Sequence, residues 1–408
     1  MPNSLLTIGQ ITNEALAVLE NMLPFSMNAN TQYSDQFAKT GAKIGDSISV
    51  RVPPTYIGRD GPLLKVESSV ETSVPLTLVQ AGCDLSFSTA DLTLSIDDFS
   101  SRFIQPAIAS VANKVELNGL LLYRQIANIT GTPGTQPTDV TLSNANALLD
   151  ECAAPFDGLR SVVLSPRAAA SIQQATKGLF QSSSNIAEGY KTGRFADGLG
   201  FKSYVGQNVW THTAGPQGGT PVVAATALAT AGSTIPVTGW TAAVGLRLRA
   251  GDTFTLGTTS NGVLQVNPQS RLSTGLLQSF VVLADFSSDA SGNGNLSVFP
   301  AIIPSGANQT VDISSASGSL TLTVTTGTAN QQTRQSLAFH RDAFTLATAD
   351  MMLPEGVHMA KRVRSKRSGI SLRAIQAYDI NTDQAPLRLD ILYGWAALRR
   401  NLAVRVQG

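Results

Sequence analysis

The stretch from residue 95 to residue 128 constrains the fold of this 408-residue chain more than any other part of it. Its apolar residues recur at steps of three, four and seven, the period of a helix with one buried stripe. A helix of about 25 residues would be roughly 35–40 Å long, longer than an average globular helix. Polar Lys114, Glu116, Arg124 and Gln125 fall mostly off the stripe. The predicted core of this helix is Ile104, Ile108, Val111, Val115, Leu122 and Ile126.

Composition bounds the class of protein. A chain of this length exceeds one ordinary core, so two or three domains are expected. Charged residues make up 14% and the formal net charge is +1, so no overall field attracts nucleic acid or a membrane. The two cysteines form no disulfide framework and suit a reducing compartment. Without a signal-peptide pattern or an apolar run long enough to span a bilayer, we expect a soluble protein made and used in a cytoplasm.

Two segments before the long helix are predicted to reach outward. Residues 1–40 combine an amphipathic helical pattern with a polar connector, which favours an N-terminal arm. Residues 41–80 contain alternating runs at 48–52 and 74–78, separated by proline- and glycine-rich sequence. Too few apolar residues lie between the runs to bury a tip, so we expect an extended two-stranded loop received by a neighbouring subunit; an ordinary surface loop is the alternative. The candidate intersubunit contacts are Arg59, Asp60, Lys65 and Glu67.

The long helix belongs to residues 81–139, which end in a joint rich in glycine, proline and threonine. Residues 140–212 then show the pattern of an α/β module. A helix is expected at 143–151, a strand at 160–164, and a further helix that begins at Pro166, since proline suits the first helical position.

Residues 213–337 differ from both flanks, because charged residues become sparse and the joints are rich in Gly, Ser and Asn. Short alternating runs follow at near-regular spacing, which predicts an all-β barrel or sandwich. Asn261-Gly262 between two of these runs predicts a hairpin turn. Since α/β character returns afterwards, this domain is predicted to be inserted and to fold by itself.

Residues 338–408 return to α/β character, with a helical pattern at 341–352 and alternating runs at 370–373, 387–393 and 402–406 that predict strands. A turn is expected at Gly394-Trp395. Between them lies a basic patch with three open interpretations: non-specific contact to DNA phosphates, a charged strand edge that resists aggregation, or a partner for acidic groups of a neighbouring subunit. Without interleaved aromatic residues, sequence-specific recognition is not expected. The patch consists of Lys361, Arg362, Arg364, Lys366 and Arg367.

No motif indicates catalysis. The three histidines, His212, His340 and His358, lie in no metal-binding spacing. Neither a nucleophile elbow nor a phosphate-binding loop is present. We therefore expect no catalytic, cofactor-binding or metal-binding residues, although the long helix alone would equally fit the core of an enzyme.

Five short motifs in the C-terminal segment carry a resemblance. They are Phe-x-Leu-Ala at 344–347, Pro-x-Gly at 354–356, Gly-x-Ser-Leu-Arg at 369–373, Tyr-Asp-Ile at 378–380 and Arg-x-Asp-x-Leu-Tyr-Gly at 388–394. In this order they resemble the closing segment of coat proteins of short-tailed bacteriophages, of the insertion-domain type found in phage P22. The order of segments along the whole chain is similar to that of the HK97-like capsid fold.

The resemblance implies an α+β, HK97-like capsid fold with an inserted all-β barrel. Its parts would be an N-terminal arm (1–40), an extended loop (41–80), a peripheral domain (81–139) with a spine helix at 95–128, an axial domain (140–212 and, with peripheral residues, 338–408) and the inserted barrel (213–337). Insertion-domain coats generally lack the lysine–asparagine cross-link of some HK97-like shells, so none is expected at Lys65.

The implied function is that of a structural major capsid protein without enzymatic activity. It would self-assemble, as pentamers and hexamers, into the icosahedral shell around phage double-stranded DNA. Scaffolding and portal proteins are the implied partners, packaged DNA is contacted non-specifically, and neither a membrane nor a cofactor is involved. The expected location is the virion capsid, and the host cytoplasm during assembly. The alternative is a β-rich virion-attached or secreted binding protein, such as a fibre or adhesin.

Overall fold

The computed structural model describes residues 23–31, 47–52, 56, 61–62, 72–86, 105–176, 198–230, 232–364 and 370–408. Helices and strands are both present, so the fold is mixed α+β. The α-helices described are Pro24–Asn28, Gln105–Leu120, Asp139–Glu151, Pro166–Thr176 and Ala225–Leu228, with 3₁₀ turns at Leu121–Gln125, Arg341–Ala343 and Arg400–Leu402. Across these described ranges, no helix is long and apolar enough to cross a membrane.

The strands are numbered β1 to β25 in chain order. They are Ser47–Val52, Thr72–Thr77, Val79–Leu85, Ile129–Thr130, Arg160–Leu164, Lys202–Val205, Thr211–Thr213, Gly219–Ala224, Gly232–Trp240, Gly245–Leu248, Thr253–Thr258, Asn261–Gly262, Leu264–Val266, Ser273–Leu277, Phe280–Val282, Phe286–Ser288, Gly294–Ile302, Val311–Asp312, Ser319–Val324, Gln332–His340, Phe344–Ala349, Met359–Arg364, Ser371–Gln376, Leu387–Ala397 and Ala403–Gln407. The chain divides into two compact units. The first contains the described residues of 1–50, 73–120 and 344–398, and the second those of 51–72, 121–343 and 399–408.

In the first unit, the long helix Gln105–Leu120 packs on one face of a sheet. β24 pairs antiparallel with β3, β21 and β23, and β22 pairs antiparallel with β23. Because side chains alternate across a strand, every second residue of these strands points at the helix. Each apolar side chain that becomes fully buried there contributes roughly 1.5–3 kcal/mol. The shared core contains Ile108, Val111, Val115, Leu372, Ala374, Leu389, Ile391 and Tyr393.

Residues 23–30, which we call the strap, close the first unit. Phe25 is fully buried, with its ring centroid 5.3 Å from that of Phe344 and 5.1 Å from that of Trp395. Asn30 forms a parallel bridge with Thr345 at the edge of β21. Gly119 permits this approach, because a Cβ there would lie 2.7 Å from the Trp395 ring and 2.9 Å from the Phe25 ring.

The two alternating runs predicted at the base of the extended loop are strands. β1 and β2 form a two-stranded sheet of their own. Their Val50 and Leu76 pack against Ala347 and Ala396. The base of the predicted loop is therefore anchored in the core of the first unit.

The second unit contains a sheet that we call the host sheet, with strand order β4-β25-β20-β5-β6 among the described residues. β4 and β6 run parallel to their neighbours, whereas β20 is antiparallel to both β25 and β5. The residues of β5 and β25 are all buried, which fits central strands covered on both faces.

The second unit also contains strands that pair in a closed ring. In the described residues the pairing runs β11-β15-β17-β9-β8-β19 and returns from β19 to β11. Alternate side chains fill the interior with one apolar cluster, which includes Phe254, Phe280, Leu296 and Leu320. β7 pairs with the beginning of β20, so that Thr213 lies opposite Gln332 and His212 opposite Thr333. The chain thus enters and leaves the ring through two paired strands, residues 211–215 and 330–334, which we call the neck.

Two predictions in the C-terminal segment were wrong. The segment predicted as a helix at 341–352 is a 3₁₀ turn followed by strand β21. Every residue of β21 is buried, and a strand buried on both faces lacks the alternation that separates it from a buried helix. No turn forms at Gly394-Trp395, because β24 continues to Ala397. Gly394 is needed inside this strand, since a Cβ there would collide with the carbonyl oxygen of Thr77.

Three further boundaries differ from the sequence predictions. The predicted helix at 95–128 is described from Gln105, and its α-helical part ends at Leu120, where a 3₁₀ turn takes over. The helix expected at 143–151 begins at Asp139, after a capping box formed by Thr138 and Thr141. Asn261-Gly262 begins the return strand β12 instead of forming the turn, because Thr258 pairs with Asn261 and leaves residues 259–260 at the corner.

Candidate contact surfaces and buried polar sites

The candidate intersubunit contacts Arg59, Asp60, Lys65 and Glu67 lie outside the described residues. The structure describes the base of their loop, β1 and β2, and the exposed residues Gly61 and Pro62 near its middle. Their contact role stays a prediction.

The predicted core stripe of the long helix falls into three groups. Ile108, Val111 and Val115 are almost completely buried in the first unit, and Ile126 is fully buried in the second. Leu122 is only half-buried and belongs to the 3₁₀ turn. Ile104 lies outside the described residues.

Part of the basic patch forms strand β22. Lys361, Arg362 and Arg364 belong to this strand, whereas Lys366 and Arg367 lie outside the described residues. β22 is the last strand in the described order of its sheet, and Val363 contributes to the core beneath it. This position agrees with the charged-edge interpretation. Contact to DNA or to a neighbouring subunit stays a prediction.

Charged side chains continue from β22 across the face of the sheet opposite the long helix. Arg362 lies opposite Arg373, which lies opposite Asp390. The carboxylate of Asp390 accepts from Arg373 Nη2 at 2.7 Å and from Arg388 Nε at 3.0 Å. Asp390 is buried and lies over Gly82, where a Cβ would collide with its Oδ1. Asp390 therefore holds the side chains of Arg373 and Arg388 in position. The sequence did not predict this arrangement.

Glu116 in the first unit corrects a sequence prediction. It was expected mostly off the buried stripe, but only 1% of its surface is exposed. Its carboxylate accepts from the backbone N–H of Phe25 at 2.6 Å, the N–H of Ser26 at 3.3 Å and the Ser26 hydroxyl at 2.9 Å. Burial raises the pKa of Glu116 to about 7, and the hydrogen bonds from Phe25 and Ser26 act in the opposite direction. Glu116 therefore holds the strap on the long helix.

A second buried polar site lies at the neck, in the second unit. Tyr123 Oη is 3.0 Å from His212 Nδ1, and His212 Nε2 is 2.8 Å from Asp252 Oδ1. Asp252 Oδ2 accepts from the backbone N–H groups of Gly215 at 2.9 Å and Arg249 at 2.7 Å. Burial lowers the pKa of His212.

Arg405 completes this site from the host sheet. Its Nε donates to Gln335 Oε1 at 2.9 Å and its Nη1 to the carbonyl oxygen of Gly251 at 2.6 Å. The guanidinium carbon lies 5.1 Å from the centre of the Tyr123 ring, within cation–π range. Burial lowers the pKa of Arg405 to about 10, so the group stays charged at neutral pH.

The order Tyr–His–Asp is that of a proton relay, but burial decides against catalysis at this site. The exposed fractions of Tyr123, His212 and Asp252 are 1%, 3% and 0%. A substrate therefore has no path to any of the three, and the arrangement is structural. Elsewhere in the described part of the chain, no group of three or more His, Cys, Asp or Glu side chains could hold a metal ion.

Comparison with known protein families assigns the class of protein. Residues 92–408 match the family model described as "P22 coat protein - gene protein 5". The chain therefore belongs to the P22 coat protein family. It is a structural major capsid protein of bacteriophage type, a subunit that assembles with further copies into the icosahedral shell of a virion. This confirms the predicted family and function, and it does not support the alternative of a fibre or adhesin.

Three solved structures illustrate the likeness at the level of the whole chain. Mycobacterium phage Che8 matches with a TM-score of 0.44 and 12% identity, covering 93% of this chain and 89% of that one. The capsid of Ralstonia phage GP4 matches with a TM-score of 0.44 and 10% identity, covering 95% of this chain and 88% of that one. A virus-like particle from Pyrococcus furiosus matches with a TM-score of 0.39 and 8% identity, covering 98% of both chains. No curated protein matches the sequence.

Proposed function

We propose that this capsid subunit has the HK97-like arrangement with an inserted barrel domain. In this arrangement Gln105–Leu120 is the described part of the spine helix, and residues 213–337 are the inserted domain. Residues 140–212 and part of 338–408 form the axial domain, and the rest of 338–408 joins the peripheral domain. The observation that carries the proposal is the neck, because β7 and β20 bring both ends of a closed strand ring together. A ring that satisfies its own edges and has adjacent ends can be inserted without disturbing its host.

The proposal assigns the contacts between subunits to the two segments that come before the spine helix. The arm (1–40) and the extended loop (41–80) overlap neighbours, with Arg59, Asp60, Lys65 and Glu67 among the contacts. Many weak contacts that form together sum to a stable shell. The anchoring of β1 and β2 in the core of the first unit supports this role, since it gives the loop a fixed base.

The remaining parts of the proposal follow from the family. The subunit forms pentamers and hexamers, assembles in the host cytoplasm with scaffolding and portal proteins, and has no enzymatic activity and no cofactor. Packaged DNA is contacted without sequence specificity, and the basic patch at 361–367 keeps its three interpretations: a charged strand edge, a partner for acidic groups of a neighbouring subunit, and non-specific contact to that DNA. The salt dependence of DNA binding by Lys361→Glu shells tests the last point, because each lost phosphate contact flattens that dependence.

Electron microscopy of the expressed chain tests the assembly proposal. We expect shells tens of nanometres across, and Arg59→Glu should lower their yield, most strongly at low salt. Lys202→Glu, an exposed charge reversal in β6, serves as the matched control. Monomers or trimers at all concentrations would contradict assembly, and an Arg59→Glu yield equal to that of wild type would contradict the role of the loop.

The inserted domain is tested by expressing residues 213–332 alone. The fragment should give a β-type circular dichroism spectrum and one cooperative thermal transition, since its core needs only its own strands. A disordered fragment would show that the ring depends on its host, and the proposed boundaries would then be wrong.

A further inference from the structure

The neck alone gives the ring a narrow attachment, because only two strands join the ring to the host sheet there. A second attachment comes from the turn between β10 and β11. There Gly251 offers its carbonyl oxygen to Arg405 of the host sheet, and Asp252 reaches the neck. The ring is thus held at two places that are far apart in sequence.

We propose that Asp252 is a latch that fixes the orientation of the ring on the host sheet and opens when His212 takes up a proton. The inference rests on the proposed assignment of residues 213–337 as an inserted domain. It adds to that assignment a closed state, defined by the contacts of Asp252, and protonation of His212 as the event that ends this state.

Both carboxylate oxygens of Asp252 are used in the closed state. Oδ1 holds His212, and Oδ2 holds the backbone N–H of Gly215, so one side chain of the turn grips the neck strand at two points. The N–H of Arg249 binds the same Oδ2 and fixes the turn that carries the carboxylate. Because Asp252 is completely buried, losing these partners would leave a buried charge without its hydrogen bonds.

Gly251 shows how closely the turn approaches the host. Its φ of +98° favours glycine, and a Cβ there would lie 3.0 Å from Arg124 Cγ and 3.2 Å from His212 Cε1. The contact between turn and host is therefore in van der Waals range, with no room for a larger residue.

The neutral histidine with its proton on Nε2 satisfies the closed state. That tautomer donates to Asp252 and accepts at Nδ1 from the Tyr123 hydroxyl. Four charged or titratable groups face the His212 imidazole. They are Tyr123 and Arg124 from the 3₁₀ turn, Asp252 from the turn after β10 and Arg405 from β25.

Burial is the largest cause that lowers the pKa of His212, and Arg405 and Arg124 act in the same direction, whereas Asp252 opposes them. A histidine exposed by opening titrates near 6.5. Acidification below that value therefore favours the open state, in which the proton can bind without the cost of burial.

Hydrogen exchange of the full chain tests the latch. The reporters are the amides of Ala214 and Asn330, which bond across the neck to the carbonyl oxygens of Gln331 and Gly215 and make no bond to Asp252. In Asp252→Asn at pH 7.5, and in the wild type at pH 5.5, their protection factors should fall about ten-fold or more, the size expected for a charge-assisted hydrogen bond. Protection of Leu256 and Val298 in the ring should be unchanged.

Asp289→Asn is the matched control, since Asp289 accepts from Ser291 and Asn293 within its own exposed turn. It should leave the neck amides unaffected. His212→Gln provides a second variant if Asp252→Asn does not fold, and its neck protection should no longer change between pH 7.5 and 5.5. Unchanged neck protection in Asp252→Asn, or an equal loss in neck and ring, would overturn the latch. A wrong domain assignment would appear separately, as a disordered isolated fragment.

Discussion

Glu116 and Asp252 are both buried carboxylates, one in each compact unit, and their surroundings differ in charge. Glu116 receives hydrogen bonds from neutral donors of the strap, and within the described residues it forms no ion pair. Asp252 binds His212 directly and has the buried Arg405 nearby. A carboxylate with neutral donors alone must itself take up the proton when burial disfavours charge. With cationic neighbours, the proton-sensitive group is the histidine instead.

The two sites are consequently expected to respond to pH in opposite directions. The pKa of Glu116 is raised from 4.5 to about 7, so the folded chain keeps a proton that the released carboxyl loses. Its contribution to stability is complete below about pH 4.5 and is lost as the pH rises through 7. The pKa of His212 is lowered from 6.5, so its contribution is complete above 6.5 and is lost on acidification. Four substitutions test this contrast.

Ile108→Asp should have the largest effect. Ile108 lies on the same helix as Glu116 and is almost completely buried, but its neighbours are apolar core residues. A carboxylate without donors there should cost about 4 kcal/mol or more, comparable to the stability of a whole domain. Insoluble or protease-sensitive chains are expected. Lys114→Asp, at an exposed position of the helix, should stay folded. A soluble Ile108→Asp chain with wild-type melting would show that donors are not what makes Glu116 tolerable.

Glu116→Gln should remove the pH response of the first unit. In the wild type, the strap should be more stable at pH 5 than at pH 8, by on the order of 3 kcal/mol given the raised pKa. Amide exchange at Phe25 and Ser26 measures this difference, which should vanish in the variant. Glu355→Gln, an exposed glutamate of the same unit, is the control and should retain it. Equal protection of the wild-type strap at both pH values would contradict the assignment.

His212→Phe should cost the second unit about 1.5–3 kcal/mol, because the Asp252 carboxylate, a charged acceptor, loses the hydrogen bond from His212. The wild type should melt at a lower temperature at pH 5.5 than at pH 7.5, and the variant should lose this slope. His358→Phe, an exposed position in the first unit, is expected to melt like the wild type. If His212→Phe kept the acid slope, another group would have to carry the response.

Ser26→Ala should have the smallest effect, about 1 kcal/mol, since it removes one of three hydrogen bonds to Glu116 and keeps both backbone donors. That hydroxyl lowers the pKa of Glu116, so the midpoint of the pH response should move upward in the variant. Combining Ser26→Ala with Glu116→Gln measures the coupling between the two side chains. A coupling of zero would mean that the hydroxyl does not support the carboxylate.

Local patterns predicted much of the fold. The stripe through Ile108, Val111 and Val115 was visible because helical neighbours are three or four residues apart in sequence. The strands of the ring were visible because their two faces differ. β21 was not, since burial on both faces removes the alternation that marks a strand.

The buried polar sites could not be predicted, because their members are distant in sequence. The burial of Glu116 depends on the strap, about ninety residues earlier in the sequence. The helical pattern does not indicate which segment covers the face of the helix that carries Glu116. Tyr123, His212 and Asp252 come from three separate segments. The sole local signal was that Asp252, after Gly251, is one of only four acidic residues in residues 213–337.

The adjacency of Thr213 and Gln332 makes the neck a grafting site. Opposite residues of an antiparallel pair have Cα atoms about 5 Å apart, a distance that a two-residue hairpin spans. The ring could be exchanged there for a short turn or for a foreign domain whose termini lie equally close, while β7 and β20 keep their register. A shell built from such subunits would display the foreign domain in as many copies as it has subunits.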